Sequence, residues 1–509
     1  MDIIDKQFEK ISFGQPTSHI KLISMAFLAY PLALILRQIK RTNIRHLFVI
    51  IPGFFIMIIL FGLRSLHLIG ISLLVYLILR FNFPHKLMCV WVTTFTWLSY
   101  LHYKVESNPD PSYKCEVTGS FMIMTLKLIS LASNLIDGEK DPKKLRGLAK
   151  IHRIQKMPSF LEFISYLFYF GSLSIGPIYD FTPYKNFITR KMFVSNSNNK
   201  KSMKKNQLKE NEIHKKANWE GLKILLLSLC SLFLYMLLAK KFNYDMVTSE
   251  NIQNSNFIIR HLNFYLLGFY LRNRYYLAFM NTEGANIIAG FGYNGIGEDG
   301  TERWDRLTNV KLKPTELPIH SRDYLNNWNY QVHLWMKNYV YFRIYTKPSV
   351  FRKSFGQLAT FFFSSFWHGF RHCYYLVYPI ALPFDYADRT LMKAVQPLLK
   401  DKDGKPNKTR VFIYETINRI IVTLYWSGTI TIFFVCYNFK QMIILLKMVY
   451  MPVIVLPWII IIVLTLKRFI FKKKRSKPET GTKESNGKDK TSNIDIREST
   501  GKKETKKNK

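Results

Sequence analysis

The sequence predicts an all-α, polytopic integral membrane protein, and three observations carry that reading. Apolar runs of about 15 to 25 residues recur from one end of the chain to the other. Hydrophobic residues make up 48% and aromatic residues 15% of the 509 positions. The formal charge is +39, from 73 Lys and Arg against 34 Asp and Glu. A soluble domain intersperses its apolar residues at helical or strand spacing, so an ordinary soluble enzyme is excluded. The mean hydropathy of −0.01 conceals this only because lysine-rich loops and a polar tail offset the apolar segments.

Backbone amides in hydrocarbon must find partners within their own segment, so a run of about 20 apolar residues reads as a spanning helix. Ile20 to Leu36, His46 to Leu63, Leu66 to Leu79 and Leu87 to Leu101 are the first such runs. Leu222 to Ala239, Phe257 to Tyr270, Phe412 to Tyr437 and Met442 to Leu466 follow. Polar residues interrupt Phe121 to Leu135, Phe160 to Ile178 and Leu358 to Leu382, which are expected to be buried among the others or to lie part-way into the bilayer. The expectation is roughly nine to eleven membrane-embedded helices.

Four regions result. Residues 1–189 carry N-terminal membrane helices, 190–218 a basic polar loop expected to be disordered, 219–471 the C-terminal membrane helices, and 472–509 a lysine-rich disordered tail. Positive-inside counting puts the loop and the tail in the cytosol, where they can lean on anionic lipid headgroups. Neither tract is attached to a nucleic-acid reading module, so no nucleic-acid partner is expected. The N-terminus lacks a signal-peptide pattern, and the first helix is expected to direct insertion. Lys506-Lys507-Asn508-Lys509 resembles a dilysine retrieval signal, which points to the endoplasmic reticulum membrane. Cys89, Cys115, Cys230, Cys373 and Cys436 are scattered without metal-ligand spacing, so neither a metal site nor a disulfide framework is expected.

His368 is the most informative residue. It follows Phe361-Phe362-Phe363-Ser364-Ser365-Phe366-Trp367, and an imidazole with an ordinary pKa near 6.5 in so apolar a setting marks a functional site. The residues alone favour a histidine that merely hydrogen-bonds a neighbouring helix over a catalytic one. His372, four residues on, would share a helical face with it. Upstream, Trp328, Val332, Trp335 and Tyr339 fall at i, i+4, i+7 and i+11, a helical stripe suited to a membrane interface or to packing. Asn329 lies one position off that stripe and presents a carboxamide, or serves as a cap or a solvated side chain. Gly290, Gly292 and Gly295 match a GxGxxG string, but no βαβ context surrounds them, so they read as turn formers. Ser364 and Ser365 lack a nucleophile elbow and read as helix packing.

The pairing of Trp328-Asn329 with Trp367-His368-Gly369 resembles the membrane-bound O-acyltransferase family, in which an Asn and a His form the catalytic pair. Further stretches are similar to its lysophospholipid acyltransferase branch: Met124 to Asn134 with Asp137-Gly138, Pro158 to Phe163 through Gly176-Pro177, and Gly290 to Gly295 continued by Trp304 to Val310. The resemblance runs from about Phe121 to Tyr378. One departure stands out. Where the family commonly has a Pro-Gly pair before two tyrosines, this chain has Arg371-His372-Cys373 before Tyr374-Tyr375, and the helix there loses an expected kink.

The resemblance implies helices around a central reaction chamber, with acyl-CoA as co-substrate, a lysophospholipid as acceptor, membrane lipids as surroundings and no permanently bound cofactor. His368 would deprotonate the free glycerol hydroxyl for direct attack on the thioester, while Asn329 orients the alcohol or donates to the oxyanion. Trp328, Trp335, Trp367, Tyr293 and Asn294 are the candidate substrate contacts. Lys337, Arg343 and Lys347 are candidate lip residues for coenzyme A by position alone. A sterol, diacylglycerol or protein acceptor in the same fold is the nearest alternative. A polytopic transporter is the alternative from another class, although no internal repeat accompanies it.

Overall fold

Helix α5, Thr118–Gly138, organises the molecule. Of its apolar stretch 78% is buried, against 17% for the long helix α8, Glu210–Ala239. The sequence explains the contrast. Along α5 the polar residues Lys127, Ser130, Ser133, Asn134 and Asp137 are all buried, a pattern that lipid does not tolerate and that neighbouring protein can satisfy. Helix α8 instead exposes Leu226, Phe233, Met236 and Leu237, as a lipid-facing helix does.

The computed structural model describes residues 7–9, 17–81, 83–108, 117–193, 210–239, 241–345, 349–436, 438–447, 455 and 457–463, without the side chains of 18, 19, 350, 351 and 378–380. The chain divides into Met1–Ile462 and Val463–Lys509, and the fold is that of the first unit. The tail 472–509, residues 194–209 of the basic loop, Lys347, Cys115 and much of Met442 to Leu466 lie outside the described residues.

Before α5 come α1 (Thr17–Gln38), α2 (Thr42–Phe61), α3 (Leu66–Arg80) and α4 (Lys86–Glu106). Two short helices follow it, α6 (Phe160–Leu167), whose first turn is closed by a Ser159 and Glu162 capping box, and α7 (Phe181–Ile188). After α8 come α9 (Phe257–Ile288), α10 (Tyr330–Met336), α11 (Val350–His368), α12 (His372–Val395), α13 (Lys408–Val435) and α14 (Phe439–Leu445). Among the described residues there is no sheet, only the isolated bridges Ile296 to Glu302 and Lys400 to Pro406.

Five helical segments among the described residues are long and apolar enough to cross a membrane: Ile20–Gln38, Thr42–Arg80, Thr118–Gly138, Glu210–Ala239 and Lys408–Val435. The protein is a multi-pass membrane protein. The interrupted stretches differ from single spanning helices for visible reasons. Phe160 to Ile178 yields only the eight residues of α6 before the chain turns irregular, and Leu358 to Leu382 is cut in two at Gly369. Helix α8 begins at Glu210, inside the stretch expected to be loop.

Buried polar bonds tie later segments of the chain to α5. Lys127 Nζ donates to Ser172 Oγ at 2.8 Å and to the Tyr179 hydroxyl at 2.9 Å. The Tyr339 hydroxyl donates to Asp180 Oδ2 at 2.7 Å and lies 3.0 Å from the side-chain amide of Asn134. Asp137 takes both terminal nitrogens of Arg343, Nη1 at 2.8 Å.

Candidate active site

Helix α11 ends at His368 because the next residue takes a conformation only glycine adopts readily: Gly369 has φ 123° and ψ −161°. The kink missing from Arg371-His372-Cys373 is therefore supplied two residues earlier. His372 opens a new helix, is exposed and does not share a face with His368, contrary to the continuous-helix expectation. Ser365 staples the two helices, its hydroxyl reaching Phe361 O and Tyr374 O, each at 3.0 Å.

Ending a helix leaves its last carbonyls without intrahelical partners. One of them, Trp367 O, accepts from His102 Nε2 at 3.1 Å. His102 is buried near the end of α4 and comes from 265 residues away. The Trp367 indole is buried too, and its Nε1 donates to Met122 O on α5 at 3.1 Å. His368 is left half-buried. Its ring meets Phe433 edge-on, with centroids 4.8 Å apart, and Tyr374 at 5.7 Å.

A cavity of about 170 Å³ lies beside that ring, lined also by His102, Glu106, Thr118, Gly119, Arg371 and Tyr374. At about 30 Å³ per water, it has room for five or so waters, or for a small polyol unit. Gly119 and Glu106 are exposed, so the space communicates with the exterior. It sits where four helix ends converge: the C-termini of α4 and α11 and the N-termini of α5 and α12.

Asn329 stands immediately before α10 in the left-handed region, at φ 46° and ψ 50°, and its side chain makes no cap hydrogen bond. Asn is among the few residues that tolerate this conformation, and non-glycine residues held there cluster at functional sites. Its neighbour Trp328 packs among Tyr275, Tyr276, Phe279 and Phe434. A chain of rings leads on to the imidazole: Trp328 to Phe434 at 6.2 Å, Phe434 to Phe433 at 5.4 Å, Phe433 to His368 at 4.8 Å.

The aromatic stripe does not form as one helix. Trp328 precedes α10, and the segment Lys337–Tyr341 widens into a π-helical turn, so the register breaks twice. Val332, Trp335 and Tyr339 are buried rather than interfacial, and Trp335 Nε1 donates to Leu126 O at 3.0 Å. Tyr293 is buried against Trp304, and Asn294 donates to Asp305 at 2.9 Å within its own loop. Neither lines the His368 cavity. Arg343 is committed to Asp137, so it is a structural tie rather than a lip residue. Of the cavity residues only His368 is an expected site residue, and His102, Glu106 and Arg371 are the charged or imidazole groups that sequence reasoning missed. Only Arg371 had left a signal, as a departure from the expected motif.

Residues 113–425 match the family described as MBOAT, membrane-bound O-acyltransferase family. The chain belongs to that family. It is 28% identical over 460 residues to a lysophospholipid acyltransferase of Schizosaccharomyces pombe, covering 88% of this chain and 87% of that protein. Against a lysophospholipid acyltransferase of Saccharomyces cerevisiae the identity is 28%, covering 78% and 66% respectively. Against lysophospholipid acyltransferase 5 of Bos taurus it is 27%, covering 72% of each. The matched region contains the cavity's α5, α11 and α12 residues together with Asn329. Membership of an O-acyltransferase family gives the site its reaction class: transfer of an acyl group to an oxygen.

Proposed function

We propose that the protein transfers a fatty acyl group from acyl-CoA to the free glycerol hydroxyl of a lysophospholipid, with His368 as general base. The observation that carries this reading is the half-buried imidazole facing a small cavity open to the exterior, in a chain whose relatives are named for lysophospholipid acylation. The alcohol's proton passes to His368 as its oxygen attacks the thioester carbonyl. Asn329 donates its carboxamide to the developing oxyanion or holds the alcohol. Coenzyme A leaves as a thiolate whose conjugate thiol has a pKa near 8.5, so no covalent acyl-enzyme and no second acid are needed. The lipid acceptor enters from the bilayer and acyl-CoA from water. We place the reaction in the endoplasmic reticulum membrane, following the dilysine-like Lys506-Lys507-Asn508-Lys509, with the lysine-rich tail in the cytosol, following its excess of Lys and Arg.

The test is thiol release from acyl-CoA by purified protein, with and without lysophospholipid. His368→Ala is expected to lower turnover by about 10² to 10⁴ while the protein stays monodisperse, the range for losing a general base. Full turnover in that variant ends the base assignment, and thiol release that ignores lysophospholipid ends the acceptor assignment.

A further inference from the structure

The cavity beside His368 carries two opposite charges whose presence the acyl transfer itself does not explain. Arg371 is the N-cap residue of α12, three positions after His368. Glu106 is the last residue of α4. Both line the same space as the imidazole. Neither placement is favoured by its own helix dipole, and the two charges offset one another across the cavity, Arg371 favouring the ionised form of Glu106. A carboxylate in the last turn of a helix faces the negative end of the dipole, and a cation at a helix start faces the positive end. Glu106 is solvent-exposed, and its carboxylate accepts from the backbone N–H of Phe370, which brings the ends of α4 and α12 together at the cavity's edge.

The chemistry of the two substrates decides what such charges can meet. In a lysophospholipid the acceptor hydroxyl and the phosphodiester sit on neighbouring carbons of one glycerol. When that hydroxyl reaches His368, the phosphate must lie beside it. In acyl-CoA the whole pantetheine arm separates the thioester from the nearest phosphate, so a cation adjacent to the reacting carbonyl cannot touch the nucleotide. Arg371 is therefore placed for the lipid's phosphate, and its planar fork can take two phosphate oxygens at once. Once the phosphate engages Arg371, Glu106 shares the cation that offsets it and faces the phosphate's negative charge. An amine-bearing headgroup supplies a second cation, two carbons beyond the phosphate.

We infer that Arg371 and Glu106 read the headgroup, the guanidinium binding the phosphodiester and the carboxylate the ammonium, so that the acceptor is a zwitterionic, amine-bearing lysophospholipid. This rests on the reading of His368 as the base that takes the acceptor hydroxyl.

The experiment compares lysophosphatidylcholine with lysophosphatidylglycerol as acceptors for the full-length protein in detergent. Arg371→Gln is expected to raise KM for both lysolipids about tenfold, as loss of a charged hydrogen bond does, and to leave KM for acyl-CoA near its starting value. Arg371→Lys, which keeps the charge and loses the fork, falls between. Glu106→Gln is expected to raise KM for lysophosphatidylcholine and to lower it for lysophosphatidylglycerol, and Glu106→Lys to reverse the preference. If Arg371→Gln weakens acyl-CoA instead, or Glu106→Gln moves both lysolipids equally, the assignment is overturned. Binding separates it from the base reading. His368→Ala protein is expected still to be stabilised against heat by lysophosphatidylcholine, and with Arg371→Gln added the same shift is expected to need about ten times more lysolipid. An active His368→Ala enzyme would remove the base while the binding result still decided the headgroup contact.

Discussion

His102 Nε2 lies 3.1 Å from the carbonyl oxygen of Trp367, and so a histidine of α4 completes the helix that presents His368. Because a carbonyl only accepts, the imidazole donates there, which leaves Nδ1 carrying the lone pair in the neutral ring. That bond fills an orphan position at a helix end in apolar surroundings, where an unmet carbonyl is costly. It also fixes the peptide that precedes the proposed base.

Replacing the donor tests this. His102→Phe keeps a ring and removes the bond, and is expected to reduce kcat at least tenfold with a smaller change in KM, since the imidazole of His368 loses its placement rather than the substrate its contacts. His102→Gln, whose amide can donate to the same carbonyl, is expected to recover much of the loss. Equal kcat in the two variants would show that the hydrogen bond does not position the site.

Gly369 offers a second test on the same turn. A Cβ there would lie 3.0 Å from His102 Nδ1, and the backbone occupies a region essentially reserved for glycine. Gly369→Ala is expected to cost about 1 to 3 kcal/mol of stability and to depress turnover further than His102→Phe, because it moves both the helix end and its support. Thermal unfolding in detergent and thiol release measure the two effects. Wild-type behaviour in both would mean the turn relaxes without consequence.

The sequence makes some of this visible and hides the rest for physical reasons. Apolar runs without charge are local, so α2, α3 and the apolar half of α8 are evident from composition. His368 stands out because ionisable groups are rare in such runs. The division at Gly369 is not evident, since a glycine inside an apolar segment is compatible with continued helix and only its backbone angles reveal the break. Nor is the aromatic stripe diagnostic: i, i+4, i+7 spacing assumes one unbroken register, and the left-handed Asn329 and the π turn at Lys337–Tyr341 interrupt it. His102 and Glu106 are invisible for a different reason. They reach the cavity from a helix more than 250 residues upstream, and no short-range pattern links Glu106 to Arg371.

Helix α5 also sets the separation of the two motif segments. The indole of Trp335 donates to Leu126 O and that of Trp367 to Met122 O, at 3.0 and 3.1 Å. These acceptors are four residues apart, one turn of helix on one face. Trp335→Phe and Trp367→Phe each remove a single buried bond, worth about 1 kcal/mol, and are expected to lower kcat several-fold with the protein still folded. The double variant is expected to lose more than the product of the two, because each anchor limits the movement the other permits. Strict multiplicativity in a kinetic double-mutant cycle would show that the two segments are positioned independently.

His320 lies at the start of the segment that runs to Trp328, and its Nδ1 is 3.5 Å from Asp388 Oδ1. Asp388 is buried on α12, where the backbone N–H of Ser321 at 2.9 Å and Asn418 Nδ2 at 3.0 Å also donate to it. The bond to Asp388 raises the His320 pKa above its ordinary value, with Asp323 and Glu415 adding to the effect and partial burial opposing it. A group whose folded-state pKa is raised stabilises the protein fully below its unfolded value, near 6.5, and that contribution disappears as pH rises through the folded value. His320→Gln should therefore lower thermal stability most below about pH 6.5, and the gap from wild type should shrink as pH rises above that. The subtraction matters because other groups titrate in the same window, and comparing the two proteins at each pH isolates this one. A gap that stays constant or widens with pH would mean that His320 acts without its charge, as a neutral hydrogen-bond partner of Asp388.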